Sequence, residues 1–186
     1  MANRILGLDS GVNGACALYC AVRRDPDLPL EGAFDLPTVG EGNRRELDYA
    51  QLRNMIWHLK PDVAFLEYVN AMPGFRKNVD TGDEERMPLG ATSIGRMMGA
   101  FYAIKAVVAC LDIPLYVKTS PQWKKHFSLR GGKDFKDDAR LLAIQRYPQV
   151  APFLKRKLDQ HRADAWLIAV FGAHVMARED NLVIPE

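Results

Sequence analysis

Cysteine is scarce in this chain, and its few copies are not spaced as a disulfide framework or a zinc site requires. The 186 residues include three cysteines, Cys16, Cys20 and Cys110. They form no C-x-x-C pair, and their odd number argues against a set of disulfides. We therefore expect free thiols that pack as small hydrophobic side chains in a reducing cytosol.

Long hydrophobic runs and a strong net charge are also missing. The sequence shows no apolar stretch of the length that a bilayer requires. The N-terminal residues Met1-Ala2-Asn3-Arg4 lead directly into a predicted strand, without the pattern of a secretory signal peptide. The formal net charge is only +2, so the overall balance does not indicate a nucleic-acid partner. These features predict a cytoplasmic protein that is not secreted and has no membrane partner.

The length and composition fit a single domain with a sizeable core. Apolar residues make up 48% of the chain and charged residues 26%, which is ordinary for a globular protein. Hydrophobic periodicity predicts strands at residues 4–8, 15–22, near 32–36, 63–66 and 115–117. Helices are expected after caps at Asp48 and Ser120, and from Asp134 or Phe135 to Tyr147. Further helices are expected at 93–111, 150–158 and 161–177. This order is typical of a mixed sheet with helices on its faces.

The segment 71–92 departs from this regular alternation. It contains Pro73, Gly74, Gly82, Pro88 and Gly90, together with charges of both signs and few apolar residues. We interpret it as a long mobile loop. Loops of this length inside compact domains are usually functional or disordered, and this one follows Glu67 closely, which favours function.

Four residues that can bind a metal stand at the edges of apolar segments. Asp9 ends the run 5–8, Glu67 ends the run 63–66, and His161 and Asp164 precede the apolar segment 165–171. A carboxylate at the edge of a core costs free energy unless it is paired or bound to a metal. Three such segments predict one convergent site. Oxygen ligands with one imidazole suit Mg²⁺ or Mn²⁺.

Each of these features also has a plainer interpretation. The D-x-G-x-x-G turn from Asp9 to Gly14 occurs in phosphate-binding loops of actin-like ATPases and in nucleases, and a simple hairpin turn explains it equally well. Glu67 can be a strand-end acid that points into water. An isolated His161 is more often a cap or a core hydrogen-bonder. Its spacing from Asp164, three residues along one helical face, favours a ligand set.

Positive charge is concentrated between residues 118 and 136. Six basic residues stand there against Asp134 alone, namely Lys118, Lys124, Lys125, Arg130, Lys133 and Lys136. Such a segment either binds phosphates or forms a solvated face, and extending it to Asp138 weakens the excess. Trp123 and Phe127 lie among these residues. For Trp123 we favour a core position over a base-stacking one.

Taken in order, these elements resemble the RuvC-type Holliday junction resolvases of the RNase H-like superfamily. The resemblance rests on the strand with Asp9, the strand ending in Glu67, the small-residue helix 95–111 and the pair His161-x-x-Asp164, and it covers nearly the whole chain. The P-x-x-W-K-K and G-K-D segments are most similar to bacteriophage-type relatives. The resemblance implies one RNase H-like α/β nuclease domain over residues 1–186. Its mixed five-stranded sheet would be flanked by helices on both faces.

The resemblance also implies a function. In that family, two strand acids and a helix-start pair hold two divalent ions, which assigns Asp9, Glu67, His161 and Asp164 as catalytic metal ligands for Mg²⁺, with Mn²⁺ as a substitute. It implies a homodimer that cuts four-way DNA junctions by paired symmetric nicks, in a bacterial cell or a phage-infected host. The expected DNA contacts are Lys118, Lys124, Lys125, Lys133, Lys136 and Phe75.

The chain departs from the family pattern at two places near the site. Cellular relatives commonly have Asp-Pro-Gly where this chain has Asp9-Ser10-Gly11, and an aromatic wedge where it has Asn70. Phe75 is the nearest aromatic residue downstream, and it either stacks on an unpaired base or anchors its own segment. Three other functions stay open: a nuclease for branched or flap DNA, an actin-like ATP-binding domain that uses the Asp9 loop, and a DNA-binding scaffold without catalysis.

Overall fold

The fold is known from a computed structural model of the chain. The structure describes residues 3–21, 31–69, 74–77, 84–87, 90–130 and 137–179, with the backbone alone in 74–77 and 84–87. Its strands are β1 Arg4–Asp9, β2 Ala15–Cys20, β3 Gly32–Asp35, β4 Thr38–Val39, β5 Glu46–Leu47, β6 Val63–Tyr68, β7 Gly74–Lys77, β8 Glu84–Met87 and β9 Leu115–Thr119. Its α-helices are α1 Tyr49–Leu59, α2 Ala91–Cys110, α3 Ser120–His126, α4 Asp138–Arg146 and α5 Gln160–Glu179.

A mixed five-stranded sheet lies at the centre, in the order β3-β2-β1-β6-β9. β1 pairs antiparallel with β2, and β2 with β3, whereas β1 pairs parallel with β6, and β6 with β9. The parallel pairs follow from the crossover helices α1 and α2, which return the chain to the same end of the sheet. The predicted α/β class and mixed five-stranded sheet are confirmed.

Helices cover both faces of this sheet because side chains alternate along each strand. Ile5 and Phe65 face a core that they share with α3, α4 and α5. Leu6 and Leu66 face a second core with α1 and α2. The cap predicted at Asp48 is also observed, since its Oδ1 accepts a hydrogen bond of 2.9 Å from the Gln51 amide.

α5 packs against β1 with no space between the two backbones. A Cβ atom on Gly7 would collide with the carbonyl oxygen of Ala165 and lie 2.5 Å from the Ala169 nitrogen. A Cβ atom on Gly172 would collide in the same way with the Phe65 ring. Glycine at these two positions therefore sets the distance between the last helix and the sheet, and with it the position of the first turn of α5.

The segment 71–92 is not the continuous loop that its glycines and prolines suggested. β7 and β8 pair antiparallel within it, with Phe75 opposite Arg86, and α2 begins at Ala91. The register also sets Arg76 opposite Glu85 and Lys77 opposite Glu84, so oppositely charged residues are cross-strand partners. That charge pattern was the available signal, and the loop interpretation overlooked it. Whether the segment is mobile stays a prediction.

Two helical boundaries also differ from expectation. A short α-helix was predicted at 150–158, but the structure has two 3₁₀ helices there, Pro148–Phe153 and Lys157–Asp159. Pro152 lacks an amide hydrogen and prevents a regular α-helix. In α3 the cap is Thr119 rather than Ser120, and Gln122 Oε1 accepts hydrogen bonds from both the amide and the hydroxyl of Thr119.

α2 is long and apolar enough to cross a membrane by length and composition alone, contrary to the expectation from the sequence. A single helix of this kind is a weak indication of a membrane span. Only 22% of its apolar window is buried. Gly95 and Gly99, two of the small residues of this helix, have open space where a Cβ atom would be. α2 therefore presents an apolar outer face that the rest of the described chain does not cover.

Candidate active site

Asp9 and Glu67 end two neighbouring strands at the same edge of the sheet. Leu8 pairs with Leu66 in the parallel register of β1 and β6, so the next residue on each strand is one of the two acids. Both follow the alternation of Ile5 and Phe65, which places them on the face covered by α5. Asp9 is only 9% exposed, and Glu67 is partly buried.

His161 and Asp164 come to the same place from the first turn of α5. His161 Nδ1 lies 2.6 Å from Asp9 Oδ2, within hydrogen-bond distance. Asp164 is one helical turn further along and partly buried. The close packing at Gly7, two residues before Asp9, brings this turn against the end of β1.

The four groups influence one another electrostatically. Burial, reinforced by the charges of Asp9 and Glu67, raises the pKa of Asp164 to about 8. Burial and the charge of Asp9 also raise the pKa of Glu67. The hydrogen bond with Asp9 raises the pKa of His161, although burial opposes it. Three carboxyl groups are therefore crowded into one partly buried place, and a divalent cation would relieve their repulsion.

The arrangement does not yet have the geometry of a metal site. Among the described residues, no group of three or more His, Cys, Asp or Glu side chains is positioned to hold an ion. Asp9 and His161 are in direct contact, while the coupling of Glu67 and Asp164 to Asp9 is electrostatic. The donor set, three carboxylates and one imidazole, fits Mg²⁺ or Mn²⁺ in kind. To hold an ion, Asp9 and His161 must break their mutual hydrogen bond and bind the ion instead. The ligand assignment stays a prediction.

Glu67 is held by contacts that the sequence did not reveal. Trp123 Nε1 donates a hydrogen bond of 3.1 Å to Glu67 Oε2, and the Ser120 side chain also hydrogen-bonds to this carboxylate. Trp123 is fully buried, which confirms its predicted core position. A buried indole N–H needs a hydrogen-bond acceptor. A core tryptophan close in sequence to a serine and two lysines was therefore the available signal that Trp123 has a polar partner. Ser10 Oγ donates to the backbone oxygen of Glu67 at 3.1 Å.

Asp9 and Glu67 open onto a large cavity of about 1190 Å³. Its lining comprises Asp9, Ser10, Glu67, Tyr68, Val69, Met97, Thr119, Ser120, Pro121, Lys124, Lys125, Ser128 and Leu129. His161 and Asp164 are not among these lining residues, and His161 adjoins the cavity through its contact with Asp9. Tyr68, which is 40% exposed, is an aromatic wall residue that the sequence interpretation did not consider.

The predicted DNA contacts divide into three groups. Lys124 and Lys125 line the cavity. Lys118 pairs with Glu67 in the register of β9 and β6, and its Nζ lies 5.9 Å from the centre of the Tyr116 ring. Lys133 and Lys136 lie outside the described residues, and for Phe75 the structure gives the backbone of β7 alone.

The comparisons with known proteins find the same fold at low sequence identity. No protein-family model matches the chain, and no curated protein matches it in sequence. The structure of Thermus thermophilus RuvC in complex with a Holliday junction substrate is similar, with a TM-score of 0.48 and 15% identity over 98% of this chain and 99% of that chain. The complex of the Fowlpox virus resolvase with Holliday junction DNA has a TM-score of 0.46 and 12% identity over 93% of this chain and 98% of that chain. The Thermus thermophilus RuvC structure matches with a TM-score of 0.53 and 16% identity over 98% of this chain and 99% of that chain. The chain therefore has the RNase H-like fold of RuvC.

Proposed function

We propose that this protein is a divalent-metal-dependent endonuclease that resolves four-way DNA junctions by paired symmetric nicks, leaving 5′-phosphates. The observation that carries the proposal is the convergence of Asp9, Glu67, His161 and Asp164 at one sheet edge of a RuvC-like fold. Crowded carboxylates with raised pKa values, next to a large cavity, are typical of a functional site rather than of a structural ion pair.

The side chains have distinct roles in this proposal. Asp9, Glu67, His161 and Asp164 would hold two Mg²⁺ or Mn²⁺ ions, which supply activation of a water nucleophile and stabilisation of the leaving 3′-oxygen. His161 must be neutral to bind, so it gives up the proton that the contact with Asp9 favours. Trp123 orients the Glu67 carboxylate by its hydrogen bond, and Lys124 offsets part of the negative charge.

The cavity in front of the acids is suited to a DNA backbone. Lys124 and Lys125 line it and can bind phosphates, and Asp9 and Glu67 line the same cavity. Lys118, Lys133 and Lys136 would extend this contact along the DNA. Exposed Tyr68 offers a ring on which a base can stack, at the same wall as Glu67.

Two cuts on opposite DNA strands need two active sites, so we expect a homodimer. The exposed outer face of α2 is suited to be its interface. Ile94 and Tyr102 are exposed apolar side chains on this helix, 36% and 57% exposed. A second copy packed on this face would bury these groups. Tyr102→Glu should then shift the sedimentation coefficient to that of a monomer without lowering the fraction of folded protein. A variant that sediments like the wild type would place the interface elsewhere.

Cleavage of defined DNA substrates tests the proposed activity. Labelled four-way, flap and linear duplex DNA are incubated with the protein and Mg²⁺, and in parallel with chelator, and the cut sites are mapped. We expect paired cuts at symmetric positions in the junction, none in the linear duplex and none with chelator. Equal cleavage of flaps would favour the broader branched-DNA nuclease. Absence of cleavage with a bound junction would favour the non-catalytic scaffold.

A further inference from the structure

A second depression, of about 640 Å³, lies outside the cavity that holds Asp9 and Glu67. Three arginines, Arg44, Arg45 and Arg96, line it, and Glu46 is the one acidic residue among the described residues of its wall. The rest of the lining comprises Val12, Leu47, Tyr49, Thr92, Gly95, Gly99 and Ala100. We refer to this depression, defined by those residues, as the arginine groove.

The arginine groove borders the candidate active site but opens in another direction. Val12, on its wall, belongs to the same turn as Asp9 and Ser10, which line the first cavity. On α2, Arg96 lines the groove whereas Met97 lines the cavity, and successive helical residues point about 100° apart. The β1–β2 turn and the N-terminal part of α2 therefore separate two adjacent depressions.

Hydrogen bonds hold the segment that carries Arg44 and Arg45. Arg44 and Arg45 lie in the connection between the paired strands β4 and β5, whose register joins Val39 to Glu46. The Arg44 amide donates to the Glu41 carbonyl at 2.9 Å. Arg45 Nη2 donates to the Val12 carbonyl at 3.3 Å and so attaches this turn to the one that follows Asp9. The Arg45 guanidinium is thus positioned by the protein itself, and the segment that carries Arg44 and Arg45 does not need to be ordered by a ligand.

Two of the arginines that line the groove, Arg44 and Arg45, form no ion pair within the described part of the chain. Arg140, Arg156 and Arg162 each form an ion pair with an aspartate, and these pairs are structural. Arg44 and Arg45, by contrast, are both exposed. Guanidinium groups bind phosphate in a bidentate manner, and two adjacent ones that form no ion pair favour a polyanion.

We propose that the arginine groove binds the phosphate backbone of a second duplex arm of the branched DNA, distinct from the arm held beside Lys124 and Lys125. This rests on the proposed function. A junction has several arms that leave one point in different directions, and two basic surfaces on either side of the Asp9 turn can hold two of them at once. A linear duplex follows one direction, so it can occupy the lysine wall alone.

Binding of matched DNAs across a salt titration tests this assignment. Arg44→Ala/Arg45→Ala is compared with Arg53→Ala/Lys155→Ala, which removes the same charge from exposed residues that line neither depression. Chelator is present, so that binding is measured without cleavage. For the four-way junction, we expect the slope of log affinity against log salt to fall by about two in the groove variant, with affinity about tenfold or more weaker at 0.1 M salt. The control variant and all linear duplex affinities should match the wild type.

The possible results separate this proposal from the nuclease proposal. If the slope of log affinity against log salt for the junction is unchanged in the groove variant, the arginine groove does not bind DNA. If the groove variant loses as much affinity for the linear duplex as for the junction, the second-arm assignment is wrong. A wild-type protein that binds junctions but does not cut them with Mg²⁺ contradicts only the nuclease activity, while one that binds no junction contradicts both. Arg44→Ala alone keeps the Arg45 hydrogen bond to Val12. It should lower the slope by about one with an unchanged melting temperature, which excludes misfolding as the cause.

Discussion

Two helices of equal length, α2 and α5, have opposite environments in this molecule. Each has 20 residues and a largely apolar sequence. α5 is buried for most of its length, with Trp166, Ile168 and Val170 fully inaccessible, whereas α2 buries one side around Ile104 and leaves the other open. Apolar composition therefore predicts that a helix will be covered, but it does not say whether the cover is the same chain or another molecule.

The largest expected effect concerns the chemistry at the start of α5 and the strand ends beside it. Asp9→Asn, Glu67→Gln and Asp164→Asn should each reduce junction cleavage to background, because each removes a ligand from the ions that carry the reaction. Junction binding should persist, since phosphate contacts provide most of the affinity. Cleavage and binding are measured on the same labelled junction. Wild-type cleavage by any one of the three variants would contradict the site assignment.

Asp164→Asn has a second consequence that is visible without DNA. The folded-state pKa of Asp164 is about 8 against an ordinary value of 3.8, so the folded protein holds a proton that the unfolded chain releases. The metal-free wild type should therefore lose stability as the pH rises from about 4 to about 8. The variant should lack this loss and melt higher than the wild type at pH 8, with the difference vanishing near pH 4. A lower melting temperature at pH 8 would mean that Asp164 is stabilised by partners as a carboxylate.

The contrast between the two helices themselves is tested with one substitution in each environment. Gly7→Ala places a methyl group against the α5 backbone and should lower the free energy of unfolding by about 3 kcal/mol. Gly99→Ala meets no atom within 4 Å and should raise it by about 1 kcal/mol through helix propensity. Urea unfolding measures both. A Gly99→Ala variant as unstable as Gly7→Ala would show that the outer face of α2 is tightly packed in a dimer.

Trp123 connects α3 to the site on the α5 face of the sheet. Trp123→Phe keeps a large ring in the core but removes the N–H that holds Glu67 Oε2. Outer hydrogen bonds of this kind typically contribute 10- to 100-fold to metal affinity, so we expect Mn²⁺ binding, followed by calorimetry, to weaken by about tenfold. Phe127→Leu, which alters the same core without touching Glu67, serves as the control. Equal affinities in the two variants would reduce Trp123 to a packing role.

A smaller effect is expected for the imidazole at the start of α5. The contact with Asp9 raises the pKa of His161 above its usual value of 6.5, so its proton competes with metal binding already near neutral pH. Cleavage at subsaturating Mg²⁺ should decline as the pH falls through that raised pKa. His161→Asp should retain much of the activity and move this decline to lower pH. A folded but inactive His161→Asp protein would argue against a ligand role.

The smallest effect concerns the segment that leads from β6 to α2. If Phe75 stacks on a base at the junction centre, Phe75→Ala should reduce the rise in 2-aminopurine fluorescence on binding, with no change in thermal stability. Tyr68→Phe is the matched comparison, because residue 68 precedes this segment and the substitution keeps an aromatic ring. A clear drop in melting temperature for Phe75→Ala would instead support the role of an anchor.

The sequence predicted the part of this structure that depends on regular alternation. The apolar runs before Asp9 and Glu67 identified two adjacent strands, and the spacing of His161 and Asp164 identified one face of a helix. The hydrogen bond from Trp123 to Glu67 joins residues 56 positions apart, and no local pattern encodes such a contact. The arginine groove was missed for the same reason, since Arg44 and Arg96 come together only through the fold.

The hydrogen bond between His161 and Asp9 also has a consequence for the newly synthesised chain. These residues are 152 positions apart, so the contact cannot form until α5 has been synthesised, long after the residues of the N-terminal strands. A nascent chain that has not yet released α5 has Asp9 and Glu67 but lacks two of the four proposed ligands. On the proposed function, a chain truncated before α5 would therefore be unable to cut DNA.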